Sequence, residues 1–337
     1  MLILHIGRGK TGSTSLQRAL HAQRERVLAA GLFVPDASAT LGNHAEFVAA
    51  LRGEPGAQHS LQAVKDSLAD PHARVLLTSE FLFDIKADAI QRVQEVAQDH
   101  EVLVIAYLRD YPSWVPSFYA QPTKKGKNLL SFDDFYAAYL DTFSAFPALE
   151  RWACVFGWPA LSVRPVVNDR VGARTLFEDF SDAIGVELVE ERRQNSSPHW
   201  LGLELRREFA AINRAISSDD SHFLRWLLEQ STKAAQQAGL APAYLSSDQV
   251  RELDHLYQKD LRRLSALTGR PLSVPTAAEQ RCRETKPTIS KAPVALRQEL
   301  VEECLRYDRR PVSDDTRQLA ISLLMGEQRA ELGTTGA

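Results

Sequence analysis

A chain of 337 residues, 44% of them hydrophobic, can bury a large core, and this length fits one large α/β domain or a domain with an appendage. Its 40 lysines and arginines against 43 aspartates and glutamates leave a net charge of −3, so no global field draws it to nucleic acid or an anionic membrane, and any anion site has to be local. Cys154, Cys282 and Cys304 are odd in number and lack C-x-x-C spacing, which argues against a disulfide framework or structural zinc and for a reduced compartment.

The first element is a short apolar run, Leu2, Ile3, Leu4 and Ile6, which breaks into Gly7-Arg8-Gly9-Lys10-Thr11-Gly12-Ser13-Thr14-Ser15 and then into the helical stripe Leu16, Ala19, Leu20, Val27. This order predicts a strand, a phosphate-cradling loop at a helix N-terminus, and a helix over 15–30 stopped by Gly31. Gly7 and Gly12 fit the pattern G-x-x-x-x-G-K-[ST], but Ser13 stands where the lysine belongs, and the lysine has moved inward to Lys10. The alternative is a glycine-rich turn with no ligand. A strand at the second residue leaves no room for a signal peptide, and the apolar run 102–108 is far short of the ~18 residues a membrane helix needs. The expectation is a soluble, cytoplasmic chain without a membrane span.

Residues 32–35 read as a second short strand or an extended segment and 36–56 as a loop with a short helix, where His44 is either an exposed loop histidine or a substrate-contacting, proton-shuttling group. After helical spacing over 61–68, residues 74–79 form a buried strand with Glu80 at its carboxyl end. A carboxylate there is either functional or the acid of a helix start. A helix over 87–96 precedes the strongest strand, 101–108, which ends at Arg109. Ser117 stands eight positions further on, so an arginine fork and a serine about two helical turns away can reach one phosphate. The bland reading pairs Arg109 with Asp110 and leaves Ser117 merely exposed.

Lys124, Lys125 and Lys127 surround Gly126 on what reads as a mobile loop, either a solvated face or a contact for an anionic or polyhydroxy acceptor. Ser131 starts a helix with a capping-box pattern, Trp152 lies on the apolar face of another, 160–167 is a strand, Asn168-Asp169-Arg170 a turn, and 176–184 a helix ending near Gly185. Ser196 or Ser197 is placed to cap a helix with Pro198 in its first turn. Helices follow over 201–216, 223–238 and 250–267, a linker over 270–293, and two final helices over 294–307 and 314–331. The expected fold is α/β: a P-loop-like parallel sheet flanked by helices, with a helical C-terminal part, divided into 1–270 and a linker with helical extension over 271–337.

The stretch Lys10-Thr11-Gly12-Ser13-Thr14-Ser15 resembles the 5′-phosphosulfate loop of sulfotransferases that use 3′-phosphoadenosine 5′-phosphosulfate (PAPS), in which a lysine precedes Thr-Gly-[ST]-[ST]. Arg109 and Ser117 resemble the same family's 3′-phosphate motif, with a departure at Tyr111-Pro112, where proline more often follows the acid directly. The resemblance covers 1–190 by motifs and fades to about 270. It implies transfer of a sulfuryl group from PAPS to a hydroxyl or amine of a small-molecule or glycan acceptor, a carbohydrate or glycolipid first among them. Gly9, Lys10, Thr11, Gly12, Ser13, Thr14, Ser15, Arg109 and Ser117 would hold PAPS, Lys10 would neutralise the leaving oxygen, and Glu80 would be the base, with His44 as the alternative. The scheme requires no metal, and no His, Cys or carboxylate cluster stands at ligand spacing. Two other readings remain: a Mg²⁺-dependent P-loop kinase or triphosphatase, opposed by Ser13 in the lysine slot, and a non-catalytic nucleotide-binding protein using its C-terminal helices as an interface.

Overall fold

The computed structural model describes residues 1–37, 42–167, 170–190, 198–212, 218–240, 243–272, 282 and 288–326. The chain divides into two compact units, one of Met1–Trp114, Thr142–Gln194 and Leu253–Ala278, the other of Val115–Asp141, Asn195–Glu252 and Glu279–Ala337. In chain order the elements are β1 (Leu2–His5), α1 (Ser13–Ala22), α2 (Arg24–Ala29), α3 (Ala45–Leu51), α4 (Gln58–Ser67), β2 (Val75–Thr78), α5 (Ala87–Ala97), β3 (Val102–Arg109), α6 (Tyr111–Lys124), α7 (Phe132–Tyr139) and α8 (Phe146–Phe156). Then come β4 (Leu161–Val166), β5 (Arg170–Val171), β6 (Arg174–Thr175), α9 (Leu176–Ile184), α10 (Trp200–Ile212), α11 (Ser218–Gln237), α12 (Ser247–Thr268), α13 (Val294–Arg306) and α14 (Asp314–Met325).

The fold is α/β. In the first unit β2-β1-β3-β4 form a parallel sheet with β1 inside it, His5 standing beside Thr78 on one flank and Ile105 on the other. Both faces of this sheet are covered, which is why its strands read as unbroken apolar runs rather than alternating ones. Ile3, Leu76, Ile105 and Tyr107 pack with Leu16 and Leu20 of α1 and Phe177 and Phe180 of α9. Leu4, Leu77, Val104 and Ala106 point the other way by the pleat and are equally buried. Because every strand runs in the same direction, the carboxyl ends of β1, β2 and β3 share one edge, where open α/β sheets place their ligands.

Local signals hold at several helix ends. Ser131 caps α7 by accepting from Asp134 N–H, Thr175 and Glu178 form a capping box on α9, and Gly185 closes α9 at φ 67. Two expectations change. The helix expected over 15–30 is two, α1 and α2, broken at Gln23, and the last helix ends at Met325, where Gly326 takes the left-handed φ of 77. Of the two readings of 32–35 the extended segment holds, with one bridge between Phe33 and Val75. The expected Asn168-Asp169 turn and the Ser196 or Ser197 cap lie outside the described residues.

In the second unit Leu201, Leu205 and Phe209 of α10 and Phe223 and Leu227 of α11 share one core with Leu296 and Leu300 of α13 and Leu319 and Leu324 of α14. The last two helices therefore bury their apolar faces against α10 and α11. The boundary expected near residue 270 falls inside the last segment of the first unit. No helix among the described residues is long and apolar enough to cross a membrane.

Candidate functional site

β1 ends at His5, and the chain then turns through the glycine loop into α1. Ile6 and Arg8 N–H still donate to the Ile105 and Tyr107 carbonyls, so the loop starts as a continuation of the sheet. Gly12, the residue before α1, has φ 88, and a β-carbon there would collide with Leu176 of α9; only glycine meets both demands. Lys10 is exposed and also has a positive φ, 74, although it carries a side chain. The N-terminus of α1 has no side-chain cap, which leaves its first amides directed at the edge of the sheet. Thr14 and Ser15 are exposed there, whereas Ser13 is buried. Thr11 is also buried, and its hydroxyl donates to the Arg8 carbonyl (2.6 Å), so it braces the loop instead of offering its proton outward.

The loop is clamped from outside by a residue that sequence reasoning passed over. Arg8 is buried, and its guanidinium donates to the carbonyls of Phe143 (2.7 Å) and Thr142 (3.2 Å) while lying 3.5 Å over the Trp114 ring. Burial pulls it below the usual arginine value, opposed by Tyr111, Asp84 and Asp260. Trp114 in turn donates its Nε1–H to the Gly9 carbonyl (2.8 Å). A desolvated cation–π contact is worth about 2 kcal/mol, which helps to hold the loop in a strained shape. Beneath the loop, His5 is buried with its Nε2 facing Gly7 and its Nδ1 2.8 Å from Thr78 Oγ1, and burial lowers its pKa to about 4.

Glu80 follows β2 as the first residue of a three-residue 3₁₀ turn, Glu80–Leu82, capped by Ser79, whose Oγ accepts from Phe81 N–H. The half-buried Glu80 carboxylate is held from two sides: Gln17 Nε2 of α1 (3.0 Å) and Asn43 Nδ2 (2.9 Å) both donate to Oε2. Oε1 takes no hydrogen bond among the described residues. One oxygen is thus fixed and the other is left to accept a proton. Gln17 was legible only as a polar residue among the buried Leu16, Ala19 and Leu20; nothing in the chain pointed to Asn43.

His44 is not the exposed loop histidine of one reading. It is buried, Thr78 N–H donates to its Nδ1 (3.1 Å), and its Nε2–H donates to the Pro35 carbonyl (3.1 Å), a tautomer assigned from these partners. Burial holds it below the usual histidine range, so it stays neutral with both nitrogens engaged by the main chain.

Arg109 ends β3 and is half-buried; its hydrogen bond goes to the Lys10 carbonyl (3.4 Å), which brings it to the glycine loop, and it makes no ion pair among the described residues. Asp110 caps α6, its Oδ1 accepting from Ser113 N–H (2.9 Å). α6 runs unbroken through Pro116 and Pro122, with Ser117 half-buried on it in the part of the chain that belongs to the second unit. The first unit therefore brings Lys10 and its loop, Glu80 and Arg109 to one sheet edge.

No family model matches the chain, and no curated protein matches it. Among solved structures it is similar to the crystal structure of a sulfotransferase from Alicyclobacillus acidocaldarius, with 16% identity and a TM-score of 0.42 over 80% of this chain and 96% of that one.

Proposed function

We propose that this protein transfers a sulfuryl group from PAPS to a hydroxyl or amine of an acceptor, with a carbohydrate or glycolipid as the acceptor class. The observation that carries this reading is the shared edge of three parallel strands, where a glycine loop with Lys10, a carboxylate with one open oxygen, and Arg109 converge. The residues fit such a donor: uncapped amides and exposed Thr14 and Ser15 for a 5′-phosphate, and a fork without an ion pair for a 3′-phosphate.

PAPS supplies an activated sulfuryl group on its 5′-phosphate. The acceptor oxygen or nitrogen bonds to sulfur as the bond from sulfur to the bridging phosphate oxygen breaks, and that oxygen leaves with the electron pair. Lys10 neutralises the charge building there, a role that matters most in the transition state. Glu80 takes the acceptor's proton at Oε1, while Gln17 and Asn43 hold Oε2 in place. His44 positions the chain through Thr78 and Pro35 and moves no proton. Arg109 reads the 3′-phosphate.

The test compares adenosine 3′,5′-bisphosphate, AMP and Mg²⁺-ATP by thermal shift. A ligand at about 100 times its dissociation constant stabilises a protein by about 2.7 kcal/mol, several degrees for a chain of this size. The bisphosphate is expected to bind at least about tenfold tighter than AMP, since charge-assisted hydrogen bonds contribute ~1.5–3 kcal/mol, and Arg109→Ala should abolish that difference. Equal shifts from the bisphosphate and AMP, or a larger one from Mg²⁺-ATP, would refute the assignment.

A further inference from the structure

The second unit carries a basic turn to which the proposed transfer step assigns no role. It is braced rather than the mobile loop its lysines suggest: Gly126 N–H donates to the Thr123 carbonyl (2.9 Å), Lys127 N–H to the Pro122 carbonyl (2.9 Å), and Asn128 Nδ2 to Thr123 Oγ1 (2.9 Å). Lys125 and Lys127 are exposed and form no ion pair among the described residues. Arg206 of α10 lies against the turn, so close that a β-carbon on Gly126 would come within 2.5 Å of its Nη2 and 2.8 Å of its Cζ. Its Nη1 is buried and has no hydrogen-bond partner among the described residues. Burial alone pulls this guanidinium below its usual value, and no carboxylate opposes the shift.

The adjacent arginine is in the opposite state. Arg207 donates from Nε and Nη2 to Glu204 (3.0 and 2.8 Å) and from Nη2 to Glu208 (2.6 Å), so both nearby acids are already paired. A partly buried cation without a counter-charge is unfavourable until an anion joins it. Here that anion would meet a planar fork lying against a braced turn whose residues 125 and 127 are exposed lysines.

We propose that Lys125, Lys127 and Arg206 form a binding site for an oxyanion, a carboxylate or sulfate ester carried by the polyhydroxy acceptor. Naming the acceptor as the carrier rests on the sulfuryl-transfer reading; the anion site itself does not. A lipid headgroup also presents an oxyanion, a phosphodiester in phosphatidylglycerol, and Leu129 and Leu130, 40% and 39% exposed, lie just after the turn, so the experiment carries both sources.

The full chain is titrated with a neutral disaccharide, its uronate and sulfated counterparts, and phosphatidylcholine vesicles with and without phosphatidylglycerol. The charged disaccharides are expected to bind at least about tenfold tighter than the neutral one. Arg206→Gln and the double variant Lys125→Gln/Lys127→Gln should lose that preference. Gly126→Ala, which alters no charge but displaces the guanidinium, should weaken it several-fold. If Arg206→Gln does not fold, the double lysine variant, changed at exposed positions, decides. Equal affinity for charged and neutral disaccharides, or an undiminished preference in the double variant, overturns the site. Binding to anionic vesicles without affinity for the charged disaccharides overturns the acceptor assignment. The bisphosphate thermal shift should persist in every variant, so loss of this site and loss of the transfer reading are told apart.

Discussion

Lys10 stands in a left-handed backbone conformation, φ 74, that costs an L residue about 1 kcal/mol and that glycine would adopt freely. Keeping a lysine there trades stability for a cation at the loop's tip. Lys10→Gly is therefore expected to stabilise the fold by up to about 1 kcal/mol in chemical denaturation while lowering sulfuryl transfer by about two orders of magnitude or more. A variant that keeps its activity removes Lys10 from the reaction. On the proposed reading Glu80 takes the acceptor's proton at Oε1, so Glu80→Gln should retain nucleotide binding and lose about two or more orders of magnitude in transfer rate, the scale of a lost general base. His44→Gln is the companion variant: a larger fall in rate there, with stability unchanged, would move the base to His44.

At the scale of elements, the glycine loop owes its shape to parts of the chain far from it. Arg8 reaches carbonyls 134 and 135 residues away, and Trp114, in the first turn of α6, donates to Gly9. Trp114→Phe keeps a ring under the Arg8 guanidinium but removes that donor. The expected result is a loss of about 1 kcal/mol in stability and several-fold weaker binding of adenosine 3′,5′-bisphosphate, measured by denaturation and by calorimetry. Unchanged nucleotide affinity would mean that the loop keeps its form without the clamp.

For the whole molecule, the buried histidines tie folding to pH. His5 has a folded-state pKa of about 4, below the 6.5 of an unfolded histidine, because burial disfavours its charged form. The unfolded chain then binds the proton first. The contribution of His5 to stability is fully present above about pH 6.5 and is lost as the pH falls toward 4, at up to ~1.4 kcal/mol per pH unit. His44 shifts in the same direction for the same first cause. Denaturation between these two pH values should show a slope about one proton smaller in His5→Gln than in the parent chain; identical slopes would contradict the burial argument.

The strands, the glycine loop, the cap at Ser131 and the helix stop at Gly185 were legible in the chain, because apolar runs, hydroxyl caps and left-handed glycines act over a few residues. So was the placing of Lys10 in the loop after β1 and of Glu80 and Arg109 at strand ends. What these side chains meet was not legible. Gln17 on Glu80 is a contact across 63 residues, Asn43 one across 37, and the burial of His44 depends on Pro35 and Thr78 packing around it. The break at Gln23 and the union of α13 and α14 with α10 and α11 likewise follow from which surfaces meet in space. Local pattern sets where an element starts and stops; partners distant in sequence are chosen by the packing of the folded chain, and only the tertiary structure decides them.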